Sequence, residues 1–406
     1  MHFEDWYKKT VTLRWDGDRA DLAVAQELFS SHDVDSGSML LLRSLDLAAL
    51  PERGRCLDYG CGYGVLGIAI GRRRPAWEIV LVDRDALAVS FSARNAAALG
   101  VTAQAIAGLD PRDPSGDGYD LILWNVPGKA GEPVLAQLMA DSLDALTPEG
   151  VLALVIVHPL AATVRDVAVA RADMRITHES RGPEHTILHV QRIAGEATIP
   201  EADAFTRGAF DREPIAVEHP PFAYDLTPVI GLPHYDGPDF TSELLLDAIA
   251  SRATTGSLPA EGALVSVRPG VGHFAVAMAH SWPERKLTLV DRDVLALRSS
   301  ARAVLSEVAG ASVRTFAAAD WSEVDNADAR YALAAVRLSD QMRPVVIGRV
   351  LEELQARLVP GGWLLVGGGS TEVTRALTLA RKRTSLRERD RTKRKGASVA
   401  LLEKMN

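Results

Sequence analysis

A short segment at residues 57–64, LDYGCGYG, has residue types that suit a ligand containing a nucleoside. Asp58 stands directly before a loop that contains three glycines, Gly60, Gly62 and Gly64. Glycine lets the backbone approach a ligand closely before the chain turns into the start of a helix. Asp83 ends the next apolar segment, where a carboxylate can accept hydrogen bonds from both hydroxyls of a ribose. The spacing predicts a nucleoside site built from one loop and two acids.

The glycine spacing distinguishes between two classes of nucleoside ligand. Dinucleotide-binding loops follow the pattern G-x-G-x-x-G, and the third glycine position is Val65 in this chain. An acid beside the first glycine suits a ligand with a cationic amino group, because a carboxylate can pair with that group. S-adenosylmethionine has an amino acid tail, a ribose and an adenine but no pyrophosphate. We therefore expect S-adenosylmethionine as the cofactor, with a ligand-free turn as the alternative reading of the loop.

The elements that hold these residues alternate between short apolar segments and longer helical patterns. Four segments of the first half are predicted strands: RCLDYG, EIVLVD, DLILWN and GVLALVIVH. Three segments are predicted helices: VLGIAIGRR, ALAVSFSARNAAAL and PVLAQLMADSLDAL. Strands that are apolar on both faces and are separated by helices imply a parallel sheet covered on each side. The predicted fold class is α/β, with a Rossmann-like domain.

The second half repeats this pattern. Residues 57–95 align with residues 265–303 without a gap, and LVDRD falls on LVDRD. DSGSMLLL, which starts at Asp35, pairs with DFTSELLL, which starts at Asp239. Such self-similarity indicates a tandem duplication with two mostly parallel seven-stranded sheets. The expected parts are a catalytic domain with an N-terminal extension at 1–195, a linker at 196–220, and a second domain at 221–406.

Composition limits the class of protein further. The chain has 406 residues with 47% hydrophobic side chains, enough for two or three full cores. No apolar segment approaches the ~20 residues of a membrane span, so we expect a cytoplasmic protein without a membrane partner. No metal is expected, because the two cysteines, Cys56 and Cys61, do not form a cluster and His185 and His189 would be ~13 Å apart in a strand. The formal charge of -8 gives no general attraction to nucleic acid.

Four segments resemble the successive motifs of class I S-adenosylmethionine-dependent methyltransferases: LDYGCGYGVLGIAI, LVDRDALAVSFSARN, LILWNVPG and LTPEGVLALV. Two more, LFSSHDVDSGSMLLLRSL and HTILHVQR, are similar to segments of the tandem-duplicated small-domain ribosomal RNA guanine-N2 methyltransferases. The resemblance covers nearly the whole chain. It implies that the glycine loop with Asp58 holds the methionine moiety, that Asp83 holds the ribose, and that Asp110 holds the adenine amino group. The full implied cofactor set is Asp58, Gly60, Cys61, Gly62, Gly64, Asp83, Arg84, Asp110 and Asn125.

The segment that the resemblance makes catalytic departs from the family pattern. That family has Asn-Pro-Pro-aromatic after its fourth strand, whereas this chain has Asn-Val-Pro-Gly at residues 125–128. The resemblance implies Asn125 and Pro127 as catalytic residues, because the Asn side chain and a backbone carbonyl accept hydrogen bonds from a planar amine. The ring that would stack on a base is absent. The predicted substrate contacts, including rings that could replace it and histidines that could act as a base, are Trp124, Tyr63, Trp6, Tyr7, His32 and His158.

The second copy has lost most of these features. Ser266 stands where the first copy has Asp58, Arg268 where it has Gly60, and Arg337 near the place of Asn125, although Asp291 is retained. Loss of the acid removes the partner of the ligand's amino group, and the arginine adds bulk and positive charge. We expect the C-terminal domain to be a non-catalytic copy. In the resembling ribosomal RNA enzymes the degenerate copy is the N-terminal one, so the order is reversed here.

Three hypotheses of function remain open from the sequence. The first is an N-methyltransferase that acts on a structured RNA, by resemblance on a ribosomal guanine. The second is a small-molecule or peptide amine methyltransferase, and the third is a non-catalytic RNA-binding or assembly scaffold. Two basic segments could contact RNA or simply face water, Arg72–Arg74 and Arg381–Lys395. Asn125 could alternatively be only a turn residue at a strand end.

Overall fold

The computed structural model describes residues 1–112, 116–198, 201–255, 258–324 and 329–405. The chain forms two compact units. The N-terminal unit is Tyr7–Asp211, and the C-terminal unit combines Met1–Trp6 with Arg212–Asn406. The first six residues thus belong to the C-terminal unit, and 201–211, predicted as linker, belong to the N-terminal unit. The predicted linker also includes residues 199–200, which lie outside the described residues.

The N-terminal unit is built on a seven-stranded sheet with the strand order β5-β4-β3-β6-β7-β9-β8. Its strands are β1 Tyr7–Trp15, β2 Asp18–Ala25, β3 Arg55–Tyr59, β4 Glu78–Asp83, β5 Ala103–Ala107, β6 Tyr119–Asn125, β7 Leu146–Val157, β8 Met174–Arg181 and β9 His185–Arg192. The described helices of the unit are α2 Ser36–Ser44, α3 Val65–Arg73, α4 Ala86–Ala98, α5 Glu132–Asp144 and α6 Ala161–Val169, and α1 Phe3–Trp6 precedes them in the chain. Strands β3 to β7 pair in parallel, and β9 and β8 close one edge with antiparallel pairing.

The C-terminal unit has the same arrangement. Its sheet has the order β14-β13-β12-β15-β16-β18-β17. Its strands are β10 Ile215–His219, β11 Phe222–Leu226, β12 Ala263–Val267, β13 Leu287–Asp291, β14 Val313–Ala317, β15 Tyr331–Arg337, β16 Leu358–Gly369, β17 Leu386–Arg394 and β18 Ala397–Lys404. The described helices are α7 Phe240–Thr255, α8 His273–Ser281, α9 Val294–Glu307, α10 Pro344–Arg357 and α11 Ser370–Arg383. Each unit also has a separate two-stranded hairpin, β1-β2 or β10-β11.

The core explains why the central strands form where the sequence predicts them. Leu57, Leu81 and Leu123 in neighbouring strands are fully buried, because helices cover both faces of the sheet. The predicted α/β class with two tandem Rossmann-like domains is therefore confirmed. Among the described residues, no helix is long and apolar enough to cross a membrane.

The site is placed by the strand order. Strand β3 lies between β4 and β6, so the carboxyl ends of three parallel strands meet at one edge of the sheet. Ligands of open α/β sheets bind at such an edge, where the strand order reverses. Asp58, Asp83 and Asn125 are all at or next to these strand ends.

Candidate functional site in the N-terminal unit

The loop after β3 has the conformation that its glycines allow. Gly60, Gly62 and Gly64 have φ values of +71°, +55° and +93°, a region that other residues adopt only with strain. A Cβ at Gly60 or Gly62 would meet no atom within 4 Å, so these two residues line open space. A Cβ at Gly64 would lie 2.7 Å from Ile68 Cδ1, so that glycine serves close packing onto α3. The loop offers open backbone to a ligand at its first two glycines.

Asp83 connects the loop to the end of β4. Its Oδ2 accepts a hydrogen bond from Gly62 N–H at 2.9 Å, and its Oδ1 accepts one from Asp85 N–H at 2.9 Å. Asp85 in turn caps α4 by accepting from Leu87 N–H at 3.0 Å. The carboxylate is therefore fixed beside the open loop, and it is half-buried. A rigid acid at this position fits the predicted hydrogen bonds to ribose hydroxyls.

Asp58 lies inside the unit. Its side chain is buried, and Oδ2 accepts a hydrogen bond from Gly67 N–H at 2.7 Å in the first turn of α3. Burial, together with the smaller effect of the nearby Asp83 charge, raises the pKa of Asp58 to about 7 against the opposing effect of the backbone N–H groups of Gly67 and Leu66. Asp58 thus holds the start of α3, a role that the sequence analysis did not include. A cation bound near the loop would favour the ionised form of this acid.

Asn125 is held in one orientation by α2. Its Nδ2 donates to Asp35 Oδ2 at 2.8 Å and to Ser38 Oγ at 3.0 Å. Because an ionised carboxylate only accepts hydrogen bonds, the NH₂ end of the amide must face Asp35. Among the described residues, Asn125 Oδ1 has no protein donor. The amide therefore presents a fixed acceptor oxygen at the end of β6, as binding of an amine N–H requires.

Asp35 and Ser38 contact Asn125 and were not among the site residues predicted from the sequence. Asp35 caps α2 by accepting from Ser38 N–H at 2.9 Å, and this places both side chains against Asn125. The signal that could have found them is the spacing D-x-x-S, which recurs as Asp239 and Ser242 in the second copy.

The remaining part of the segment after β6 is a turn. Val126 is buried and its N–H donates to Val155 O at 2.9 Å, whereas Pro127 is exposed. The carbonyl oxygen of Pro127 accepts from Ala130 N–H at 3.2 Å. The predicted role of Pro127 as a carbonyl acceptor for substrate would therefore have to share this oxygen.

The predicted aromatic substrate contacts are mostly enclosed. Trp124 is 1% exposed and its ring lies 5.1 Å from the ring of Tyr59. Tyr63 is 3% exposed, and its OH donates to Asp33 O at 3.4 Å. Because both rings are covered by protein, neither offers a face to a base, and the structure corrects the prediction for these two residues. The buried positions follow from β6 and the loop, which point both rings into the core.

Trp6 belongs to the other unit. It is 4% exposed and lines a cavity with Arg268 and Asp291 of the C-terminal unit. The prediction that Trp6 supplies a stacking ring to the first site is therefore corrected. Tyr7 begins β1, is half-buried, and has its OH 3.0 Å from Thr10 Oγ1.

The two histidines considered as bases differ in their surroundings. His158 Nε2 lies 3.0 Å from Gly182 O, so this nitrogen donates, and Nδ1 lies 3.0 Å from Thr186 Oγ1. Both ring nitrogens thus join β7 to the β8-β9 hairpin, which makes His158 structural. His32 is exposed, with Nε2 3.1 Å from Lys8 Nζ.

Asp110 follows β5 and is bonded within the unit. Arg112 Nε donates to its Oδ2 at 3.0 Å, and the backbone N–H of Ala204 donates to the same oxygen at 3.3 Å. Arg207 from the same segment donates to both oxygens of the buried Asp141 at 2.6 Å. The chain at residues 201–211 therefore covers the position predicted to hold the adenine amino group.

Two other predicted cofactor residues lie beside the loop. Cys61 is buried, its Sγ is 3.6 Å from Ser92 Oγ, and burial raises its pKa well above the ordinary value. It is therefore a neutral thiol. Arg84 follows Asp83 and is half-buried.

The C-terminal unit keeps the loop but changes its chemistry. Arg268, Gly270 and Gly272 have φ values of +57°, +62° and +116°, which reproduce the backbone of the first loop. Arg268 N–H donates to Val290 O at 2.8 Å, as Gly60 N–H donates to Val82 O at 2.8 Å. At the position of Asp58, Ser266 Oγ is buried and has no hydrogen-bond partner among the described residues.

The counterpart of the Asn125 arrangement carries an arginine. Arg337 donates to Asp239 Oδ1 at 2.8 Å, to Asp239 Oδ2 at 2.7 Å and to Ser242 Oγ at 3.0 Å. The acid and the serine thus hold a side chain at the strand end as in the first copy. A guanidinium has no acceptor atom, so this position cannot receive an amine N–H.

Residues 20–171 match the protein family described as Methyltransferase small domain. The match covers less than half of the chain. The matched segment contains the loop with Asp58, together with Asp83, Asp110 and Asn125.

Curated relatives match parts of the chain. "Ribosomal RNA small subunit methyltransferase C" of Pseudomonas entomophila (strain L48) is 45% identical over 104 residues, which are 26% of this chain and 30% of the relative. The protein of the same description from Stutzerimonas stutzeri (strain A1501) is 52% identical over 81 residues, 20% of this chain and 24% of the relative. The matched part thus spans less than a third of the length of either relative.

One solved structure is similar over nearly the whole chain. It is the T. thermophilus 16S rRNA N2 methyltransferase in complex with AdoMet and guanosine, with a TM-score of 0.66 and 17% sequence identity. The similarity covers 98% of this chain and 98% of that chain. At this identity the similarity shows the fold, and it supports a tandem pair of Rossmann-like domains.

Proposed function

We propose that the N-terminal unit is an S-adenosylmethionine-dependent N-methyltransferase whose acceptor is an amine of a structured RNA, with a ribosomal guanine as the expected class. The observation that carries the proposal is the orientation of Asn125. Its Nδ2 is occupied by Asp35 and Ser38, so its Oδ1 is the atom available to an amine N–H. The relatives described as ribosomal RNA methyltransferases support RNA as the substrate class.

The residues of the loop fit the cofactor. The open positions at Gly60 and Gly62 leave room for a ligand against the backbone, and Asp83 stands beside them. When bound, S-adenosylmethionine would supply an activated methyl group, whose C–S bond breaks as the amine nitrogen forms the new C–N bond, so that the sulfur leaves as a neutral thioether and the proton of the amine passes to solvent. Asp83 would hold the ribose, and the negative charge of Asp58 would favour the cationic end of the ligand.

Asn125 contributes by orientation. An acceptor fixed at the end of β6 turns the amine so that its lone pair points to the methyl group instead of rotating freely. Alignment of reacting groups is the main contribution that an enzyme makes to such a displacement. The proposal therefore needs no metal and no nucleophilic side chain.

A second candidate is a small-molecule or peptide amine as the acceptor, and the ion pairs of the two basic segments favour it. Arg72 and Arg73 pair with Asp18 and Asp16 in the β1-β2 turn. In the second segment, Arg381 pairs with Glu388. Arg389 pairs with Glu403, and Arg394 with Glu243 and Asp247. Much of the basic charge is thus already neutralised within the protein. The scaffold hypothesis is disfavoured, because a silent scaffold has no use for an aligned Asn125.

Transfer of labelled methyl groups tests the proposal. The full chain is incubated with labelled S-adenosylmethionine in a series of separate reactions, each with one possible acceptor. The acceptors are small ribosomal subunits, 16S rRNA, total small RNA, and a metabolite and peptide fraction. We expect label in the RNA. Asn125→Ala should lower the transfer rate about 100-fold, because the amine loses its alignment.

The second copy supplies the matched control. Arg337→Lys changes the equivalent position in the C-terminal unit but keeps a positive charge beside Asp239, and it should leave the rate unchanged. Label found only in metabolites or peptides would support the second candidate. Transfer that survives Asn125→Ala but is lost in Arg337→Lys would overturn the assignment of the active unit.

A further inference from the structure

The C-terminal unit has a cavity at the place where the N-terminal unit has its predicted nucleoside site. The cavity is lined by Val267 at the end of β12, Arg268 directly after it, Asp291 at the end of β13, and Asp320 after β14. Asp291 is the counterpart of Asp83. Asp320 lies three residues after the end of β14, as Asp110 lies three residues after β5. The lining thus contains the counterparts of both acids predicted to bind ribose and adenine.

Trp6 forms part of the wall of this cavity. It is 4% exposed. The space left has a volume of about 30 Å³, which holds about two water molecules and is far too small for a nucleoside. The indole is thus enclosed beside the counterparts of the two acids, and the space that remains next to it cannot hold a base.

Polar contacts hold the segment Met1–Trp6 in place. The backbone N–H of His2 donates to Asp320 Oδ2 at 3.1 Å. Arg343 donates to Asp5 O at 3.1 Å, and Arg349 Nε donates to Asp5 Oδ2 at 3.3 Å. Burial raises the pKa of Asp320, but hydrogen bonds from Ser322 and His2 outweigh it, so the pKa lies below the ordinary value. The retained acid Asp320 thus binds the backbone of His2 in the same chain.

The N-terminal unit shows the same use of the equivalent acid. There the backbone N–H of Ala204 donates to Asp110 Oδ2 at 3.3 Å. In both units, a backbone N–H group from a segment outside the Rossmann-like sheet donates a hydrogen bond to the acid that follows the third parallel strand in chain order, β5 or β14. In the C-terminal unit, that segment also inserts an aromatic ring.

We infer that the second copy has turned its nucleoside pocket into a socket for a flat aromatic group, and that the resident ligand of this socket is the indole of Trp6. The segment Met1–Trp6 then closes the pocket against S-adenosylmethionine and any other nucleoside. The inference does not rest on the proposed methyl transfer, because each contact lies within the C-terminal unit.

Replacement of the indole by a free ligand tests the socket. Trp6→Gly in the full chain should lower the unfolding midpoint of the C-terminal unit by about 10 °C, because a large buried ring is removed. Free indole at millimolar concentration should then restore part of that loss, since removal of the side chain leaves a cavity of matching shape. Trp15→Gly is the control, because Trp15 lies in β1 and does not line the cavity. Indole should leave the midpoints of that variant and of the wild type unchanged.

Two results would overturn the inference. The first is that indole raises the unfolding midpoint of Trp6→Gly no more than that of Trp15→Gly. The second is that adenosine raises the unfolding midpoint of the C-terminal unit in the wild type, since the pocket would then be open to a nucleoside.

A second measurement covers the case in which Trp6→Gly does not fold. The protein is labelled with 5-fluorotryptophan, and the ¹⁹F resonance of Trp6 is assigned by its absence in Trp6→Phe. A soluble paramagnetic agent should leave this resonance sharp, because the ring is enclosed. A resonance that broadens like that of an exposed tryptophan would contradict the socket.

Discussion

Replacement of Asp58 by asparagine should remove a loss of stability that the wild type shows as the pH rises, and should at the same time weaken the binding of S-adenosylmethionine. The acid is buried, and its pKa of about 7 lies well above the ordinary value of 3.8. The folded state therefore keeps a proton on Asp58 that the unfolded state has lost between these two values. A raised pKa of this kind contributes stability that is complete below pH 3.8 and is lost as the pH rises to about 7.

The size of the effect follows from the pH interval. Each pH unit in this range is worth about 1.4 kcal/mol, so the wild type should lose about 3 kcal/mol between pH 5 and pH 8 through this group. Asparagine keeps an oxygen to accept the Gly67 N–H and carries no charge. The free energy of unfolding of Asp58→Asn relative to wild type should therefore rise by about 3 kcal/mol over the same interval. A contribution of the new NH₂ group to the free energy of unfolding that does not depend on pH cancels when values at different pH are compared.

Urea unfolding at pH 5, 6, 7 and 8 measures this difference. The matched control is Ser266→Ala at the equivalent position of the C-terminal unit, which removes no charge and should give a difference that does not change with pH. Titration with S-adenosylmethionine from pH 5 to 7 provides the functional half of the test. Wild-type affinity should rise by up to about tenfold per pH unit, because a bound cation favours ionised Asp58.

The reasoning is refuted if the stability difference of Asp58→Asn is flat from pH 5 to 8. It is refuted equally if that variant binds S-adenosylmethionine as tightly as the wild type at pH 7. The first result would mean that Asp58 is ionised when buried, and the second that its charge does not act on the ligand.

Three further substitutions test the loop, α3 and the segment 201–211. Gly60→Ala should lower the free energy of unfolding by about 1 kcal/mol through backbone strain alone, since φ is +71° and a Cβ would meet no neighbour. Gly67→Ala should lose about 3 kcal/mol, because its Cβ would lie 2.5 Å from Leu81 Cδ2, and urea unfolding should rank the two accordingly. Arg207→Ala should lower stability by about 3 kcal/mol, since it leaves the buried carboxylate of Asp141 without its arginine, and it should expose residues 201–211 to limited proteolysis. Equal losses in the glycine pair, or an Arg207→Ala variant that resists protease like the wild type, would contradict these assignments.

The sequence was sufficient for the parts of the fold that depend on local pattern. The apolar segments around Leu57 and Leu81 become buried parallel strands, and the loop glycines adopt the left-handed conformations that only glycine takes easily. The helix predicted at VLGIAIGRR is α3, Val65–Arg73. These features depend on residue spacing within one segment, so they can be predicted without knowledge of contacts between distant residues.

The parts that the sequence did not predict depend on contacts between distant residues. Asp35 and Ser38 reach Asn125 from 90 and 87 positions away, and only the folded sheet brings them together. Trp6 was assigned to the wrong site, because its position in the chain does not show that it inserts beside Arg268. Trp124 likewise has a residue type that suits stacking on a base, but its side chain points into the core and is buried.

The central claim is that the first copy binds the methyl donor and the second does not, and isothermal titration of the full chain with S-adenosylmethionine tests it most directly. The matched variants are Asp83→Asn and Asp291→Asn, which change the equivalent carboxylates at the ends of β4 and β13. We predict one binding site per chain, lost in Asp83→Asn and retained in Asp291→Asn. Two sites per chain, or a single site that disappears only in Asp291→Asn, would contradict it.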